Sequence, residues 1–322
     1  MERNQKIPLY KVRDFGEKLN VTITFVKRHW RLLLKNSVYL LLPLSLVQAF
    51  LLNTLFSSFI MELGGADSAP DVPWTTILSY VGYIFFFIVG SMISSSLVYA
   101  MMRYERESPT GLSQASLGDL RPLLLHNIKR SMIMGLVGMF MALVIMFLLG
   151  ISIFAGVLSF FLLVAGVFIV LVVGLLPMML ATPVYLFEDQ RTVFSAIKRA
   201  YTYGWEAWMA TLLLTFVIGF IVNILQSVTM MPWYVATVIK MFLVLDGDSS
   251  SFVHSGLYSF MLYLLAVLET FGSYLSSLLM AVALGYQYGS VADEQDGFSV
   301  DEGISQFESM TEDHLLENFE NL

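Results

Sequence analysis

The sequence predicts an all-α fold: a polytopic membrane protein of six transmembrane helices with amphipathic helices on its cytoplasmic surface. Three observations carry this. Of 322 residues, 57% are hydrophobic and 13% charged, where a soluble domain carries about 25% charged residues, and the mean hydropathy is +0.72. The apolar residues fall in runs long enough to cross a bilayer, which takes about 20 residues. The basic residues fall almost wholly in alternate connections between those runs.

The first 36 residues form a basic N-terminal segment. Val12, Phe15, Leu19, Ile23 and Val26 recur at helical spacing there, with Trp30 beyond them, so an amphipathic helix lying on the membrane surface is expected. The first span is read at 37–60, with Pro43 in its first turns and Gln48 and Asn53 as interior amides. The second, 75–102, has a serine-rich second half. The loop after it repeats the stripe with Leu117, Leu120, Leu124 and Ile128, and Asp119 is expected to cap that helix. The third and fourth spans, 131–154 and 157–187, are expected to form a tight helical hairpin.

Glu188 and Asp189 follow, expected to cap the next surface helix, whose stripe is Phe194, Ile197, Tyr201, Trp205 and Trp208. The fifth span, 210–229, carries Asn223 and Gln226; a loop with an interfacial helix is expected after Pro232. The sixth lies within 254–289 and completes a membrane domain over 37–291. An acidic cytoplasmic tail, 292–322, holds ten acids and no Lys or Arg. Acidic runs are usually solvated, yet Val300, Ile304, Phe307 and Met310 share one helical side, so docking on the basic helices is a second reading.

Nine Lys and Arg precede span one, five lie between spans two and three, and three lie between spans four and five. The other connections hold one, Lys240. The positive-inside rule then puts both termini in the cytoplasm. Three basic stripes, each leading into two spans, read either as a parallel internal repeat or as the periodicity any such protein shows.

The sixth span organises the chain. Glu269 sits near its middle, followed at steps of four by Ser273, Ser277, Ala281 and Gly285, with Gly289 next. Residues four apart share a helix face, and small residues let membrane helices approach closely. An ionisable group at membrane depth is a functional hypothesis by default. Glu269 is therefore expected to face the bundle and meet at least one of Gln48, Asn53, Asn223 or Gln226, either as structural glue or as a coupling group.

No catalytic constellation, metal-ligand spacing or cofactor motif is found, and the chain has no cysteine. A non-enzymatic protein without metal or cofactor is expected. Anionic lipid headgroups on the cytoplasmic side are the expected partners, with a membrane protein partner or a second copy as further partners and nucleic acid not among them. A transporter or channel using Glu269 is the alternative.

The run PVYLFEDQRTVFSAIKRAYTYGWEAW, 183–208, and the opening FGEKLNVTITFVKRHWRLLLK resemble a broad group of bacterial six-span membrane proteins. That group includes the membrane domain found beside glycerophosphodiester phosphodiesterases. The resemblance implies a bacterial inner-membrane protein. It carries over neither catalysis nor site residues, since the phosphodiesterase barrel is absent from this sequence.

Overall fold

A computed structural model describes residues 6–64, 74–108, 111–154, 161, 163–166, 174, 176–245 and 255–300. Seven α-helices are defined among them: α1 (Phe15–Gly64), α2 (Trp74–Glu107), α3 (Leu117–Phe154), α4 (Ala181–Phe187), α5 (Val193–Glu206), α6 (Trp208–Leu245) and α7 (Gly256–Asp296). Five of these, α1, α2, α3, α6 and α7, are long and apolar enough to cross a membrane. Most of the expected fourth span, its hairpin with the third, and the tail beyond residue 300 lie outside the described residues.

The helix starts follow local chemistry. Ser116 and Asp119 form a reciprocal cap before α3: the Ser116 N–H donates to Asp119 Oδ2 at 2.8 Å, and the Asp119 N–H faces Ser116 Oγ at 3.4 Å. Ser116 is thus the cap and Asp119 its return partner, which corrects the expected order. Thr192 caps α5 and Ser255 caps α7, each accepting from the N–H three residues on. Gly297, at φ 70°, closes α7 in the left-handed region that suits glycine.

The expected surface segments are mostly not separate elements. α1 runs unbroken for 50 residues through Pro43, about 75 Å at the α-helical rise and well beyond a ~30 Å hydrocarbon core. No break falls at 36/37, so the N-terminal stripe is the near half of one long helix. Likewise the 117–128 stripe opens α3, α6 continues through Pro232 to Leu245, and α7 passes 291/292 to reach Asp296. A helix that leaves the membrane need not stop where the composition turns polar, so each runs past the expected boundary.

The three stripes also differ in what they meet. Leu120 and Leu124 are buried in the main core. Val12, Ile23 and Trp30 face outward, while Phe15 and Leu19 pack on α6 and α7. On α5 the small face, Ala196, Ala200 and Gly204, is buried, and Phe194, Tyr201 and Trp205 are exposed. Only α5 behaves as the expected surface helix with an apolar outer face.

α7 is the central helix, packing on α1, α2 and α6 and reaching α4 and α5. Gln287 meets Thr211, and the Tyr258 hydroxyl meets the Ala236 carbonyl, so α7 is antiparallel to α6. Phe25 against Tyr286 and Gln48 against Tyr274 make it antiparallel to α1. Gly90 against Tyr274 and Gly285 against Met102 make it parallel to α2. The main core, with Phe25, Leu97, Tyr99, Leu180, Tyr203 and Tyr286, lies at the end where Arg13, Arg103, Arg130 and Arg199 converge, the basic end. Toward the far end Phe50, Phe85, Phe216 and Phe260 point outward, as side chains facing lipid tails do.

Candidate functional site

Three groupings of polar side chains stand out, one at membrane depth and two at the basic end.

At depth, Gln48 is buried on α1, and its Oε1 lies 2.5 Å from the Tyr274 hydroxyl on α7. That hydroxyl is also 2.9 Å from the Phe86 carbonyl, and Gln48 lies close enough to act on Tyr83. The Tyr274 ring packs on Gly90, where a Cβ would collide with it. Glu269 sits close enough to act electrostatically on both tyrosines. Its Oε1 accepts from Ser273 Oγ at 3.4 Å, and its buried Oε2 has no hydrogen-bond partner among the described residues.

The sequence-expected amides therefore separate. Gln48 joins the Glu269 neighbourhood through the two tyrosines. Asn53 bonds the Trp233 indole N–H at 3.0 Å, nearer the far end. Asn223 faces outward and donates to its own helix at Gly219. Gln226 is half-buried, and its backbone carbonyl accepts from Thr229. Among the described residues, no hydrogen bond joins any of the four to Glu269.

The small face of α7 has two parts. A Cβ on Gly285 would stand 2.7 Å from Met102 Sδ, and one on Gly289 would collide with the Leu9 backbone, so these positions are in close contact. Ser277 and Ala281 instead border a cavity of about 220 Å³ shared with Ser94, Ser95, Tyr99 and Thr182.

At the basic end, Glu188 and Asp189 do not cap α5, a role that Thr192 fills. They are the centre of an ionic knot. Glu188 accepts from Arg191, from Arg199 Nε at 3.0 Å and from the Tyr288 hydroxyl at 3.1 Å. Asp189 pairs with Arg103 at 2.7 Å and His126 at 3.0 Å. Asp296 takes Arg199 and the Tyr203 hydroxyl. Arg130 lies over the Tyr185 ring at 4.0 Å and donates to the carbonyls of Tyr185, Glu188, Asp189 and Arg191, an arginine serving the C-terminal carbonyls of α4. The knot joins α2, α3, α4, α5 and α7.

Burial sets the proton balance in the knot. Burial alone would raise Asp189, but the Arg103 and His126 hydrogen bonds win and hold it below the usual carboxylate range. Burial and the Asp296 hydrogen bond both push the Tyr203 phenol up, so it stays a donor. Burial would lower Arg199; Glu188, Tyr203 and Asp296 outweigh it and raise its hold on the proton. Sequence spacing gave no sign of this knot, because Arg199 and Asp296 lie 97 positions apart.

The basic residues divide between internal contacts and the surface. Arg13, Arg103, Arg130, Arg191 and Arg199 are taken up internally, as planar multi-donor groups suit. Lys6, Lys11, Lys27, Lys35, Lys129 and Lys198 are exposed. Lys6 and Lys11 join Arg13, Asn20, Thr24 and Arg28 around an open cavity of about 370 Å³ between the N-terminal segment and α1. Glu17, 4.0 Å from Lys11, is an acid on its wall.

No family model, curated protein or solved structure matches this chain.

Proposed function

We propose that the chain is a non-catalytic integral membrane protein of the bacterial inner membrane that holds anionic lipid headgroups at its basic end, with that end in the cytoplasm. The 370 Å³ cavity carries this reading: its Lys6 and Lys11 are exposed cations, while Arg13 on its wall is buried and donates to the Leu9 and Lys11 carbonyls. Each basic residue near an anionic surface adds about 1 kcal/mol of attraction. The outward Trp30 and the exposed aromatics of α5 suit the interface beside it. A membrane protein partner or a second copy would meet the same surface.

Six crossings belong to the same proposal. α3 leaves the basic end at Arg130, and Tyr185 lies beside that arginine, which supports an even number of crossings between the two. The likeness of residues 183–208 to bacterial six-span proteins supports this layout. To test the lipid reading, the protein is purified in a neutral detergent and the retained phosphatidylglycerol counted by native mass spectrometry. K6Q/K11Q should lose about 2 kcal/mol of attraction and retain less lipid, in a salt-dependent way. Unchanged retention would falsify the reading.

A second reading, a transporter or channel using Glu269 as a coupling or gating group, is favoured by one observation. A carboxyl oxygen buried without a partner among the described residues is costly to keep for structure alone.

A further inference from the structure

Among the described residues at the far end of the bundle, Lys240 is the one lysine or arginine, and it is partly buried. α1, α6 and α7 converge around it, and Lys240, Asn53, Ser57, Thr237 and Ser259 line a cavity of about 70 Å³. Among the described residues Lys240 has no ion-pair partner. A partly buried ammonium without a counter-charge is unfavourable unless water or an anion compensates it.

The neighbours are oriented to donate. Asn53 Oδ1 already accepts from Trp233 Nε1 at 3.0 Å, which leaves its N–H₂ for the cavity. The Thr237 hydroxyl donates to the Trp233 carbonyl at 2.7 Å and keeps only acceptor capacity. The Ser57 and Ser259 hydroxyls have no hydrogen bond among the described residues. One ammonium, one amide N–H₂ and two free hydroxyls form a donor-rich cup, complementary to a tetrahedral oxyanion. One water needs about 10–15 Å³ of such volume, so the cup has room for a phosphate group but not for an acyl chain.

Its depth fits a headgroup. Along α1, Ser57 stands about 30 Å from Ser37, the thickness of the hydrocarbon core. We infer that this cup binds a phosphate oxyanion at the far membrane boundary, with Lys240 supplying the charge and Asn53, Ser57 and Ser259 the hydrogen bonds.

The test uses the full chain in a neutral detergent, carrying K6Q/K11Q so that the pocket at the basic end is silenced. It is titrated calorimetrically with dioctanoyl phosphatidylglycerol and, separately, with inorganic phosphate. Saturable binding is expected, weakened at least tenfold by K240Q and retained by K240R. Binding of the lipid alone assigns a lipid phosphate, and comparable binding of inorganic phosphate assigns a soluble phosphate ligand. Equal binding with and without K240Q overturns the inference, as does binding of neither probe. Binding that emerged only in E62Q would overturn it too.

Discussion

Gly289 of α7 lies against the backbone carbonyl of Leu9. A Cβ at 289 would collide with the Leu9 oxygen and stand 3.0 Å from its carbonyl carbon. Around this contact the Arg13 N–H donates to Ser290 Oγ at 3.0 Å, and Tyr10 stacks on Phe298 at 4.7 Å. One absent methyl group thus lets residues 6–13 lie on the central helix, where they form a wall of the basic cavity.

Gly289→Ala should therefore lift that segment. The obstacle is backbone, which cannot rotate aside, so a cost of about 1–3 kcal/mol is expected. Limited trypsin digestion should cut faster at Lys6 and Lys11 in the variant, and its melting temperature should fall. Unchanged protection would contradict the contact.

Arg130→Lys tests the clamp on α4. A lysine ammonium is a point charge and cannot reach four carbonyls in a plane as the guanidinium does. Hydrogen bonds to charged groups contribute about 1.5–3 kcal/mol, so the loss should be near 2 kcal/mol. Hydrogen exchange should rise across residues 185–191 while α6 stays protected.

Much of the fold was legible in the sequence, for a physical reason. A bilayer demands long apolar helices and tolerates little else, so hydropathy locates them. The boundaries were not legible, because a helix entering water from the membrane need not stop; α1 and α6 continue through basic and proline-bearing stretches. The stripes are ambiguous for a related reason. Period 3.6 marks an apolar face without saying whether protein or lipid covers it, so Leu120 in the core and Trp205 outside looked alike. The knot escaped notice because its charges are far apart in sequence. Glu269 was identifiable as an acid in an apolar run; that Gln48 bonds Tyr274 and not Glu269 was not.

The knot makes an acid-side prediction. Asp189 is held below the usual carboxylate range in the folded chain. A group depressed on folding contributes stability that is full above its unfolded value, about 3.9. That stability is lost as pH falls through the folded value. The wild type should therefore be more stable than Asp189→Asn at pH 6, and the difference should shrink below about pH 4. With its side chain 38% exposed, the effect should stay under ~1 kcal/mol. Thermal melts of both proteins across that range check the sign; a difference that widened toward low pH would refute it.

Glu269 gives the last prediction. Its one side-chain hydrogen bond is a long one from Ser273, and its other oxygen is buried without a partner among the described residues. That bond lies within α7 and ties no second helix, whereas an unsatisfied buried oxygen costs about 1–3 kcal/mol. Removing the carboxyl should thus remove more penalty than support. Glu269→Leu is expected to leave the melting temperature unchanged or raise it, and Glu269→Gln to leave it close to wild type; a clear fall in the leucine variant would restore the glue reading. Proton flux separates the two functions. In pyranine-loaded proteoliposomes under a pH gradient, a coupling or gating acid would make the wild type leak protons and Glu269→Gln not. The lipid-holding function predicts equal, low flux in both, because it asks no proton exchange of Glu269.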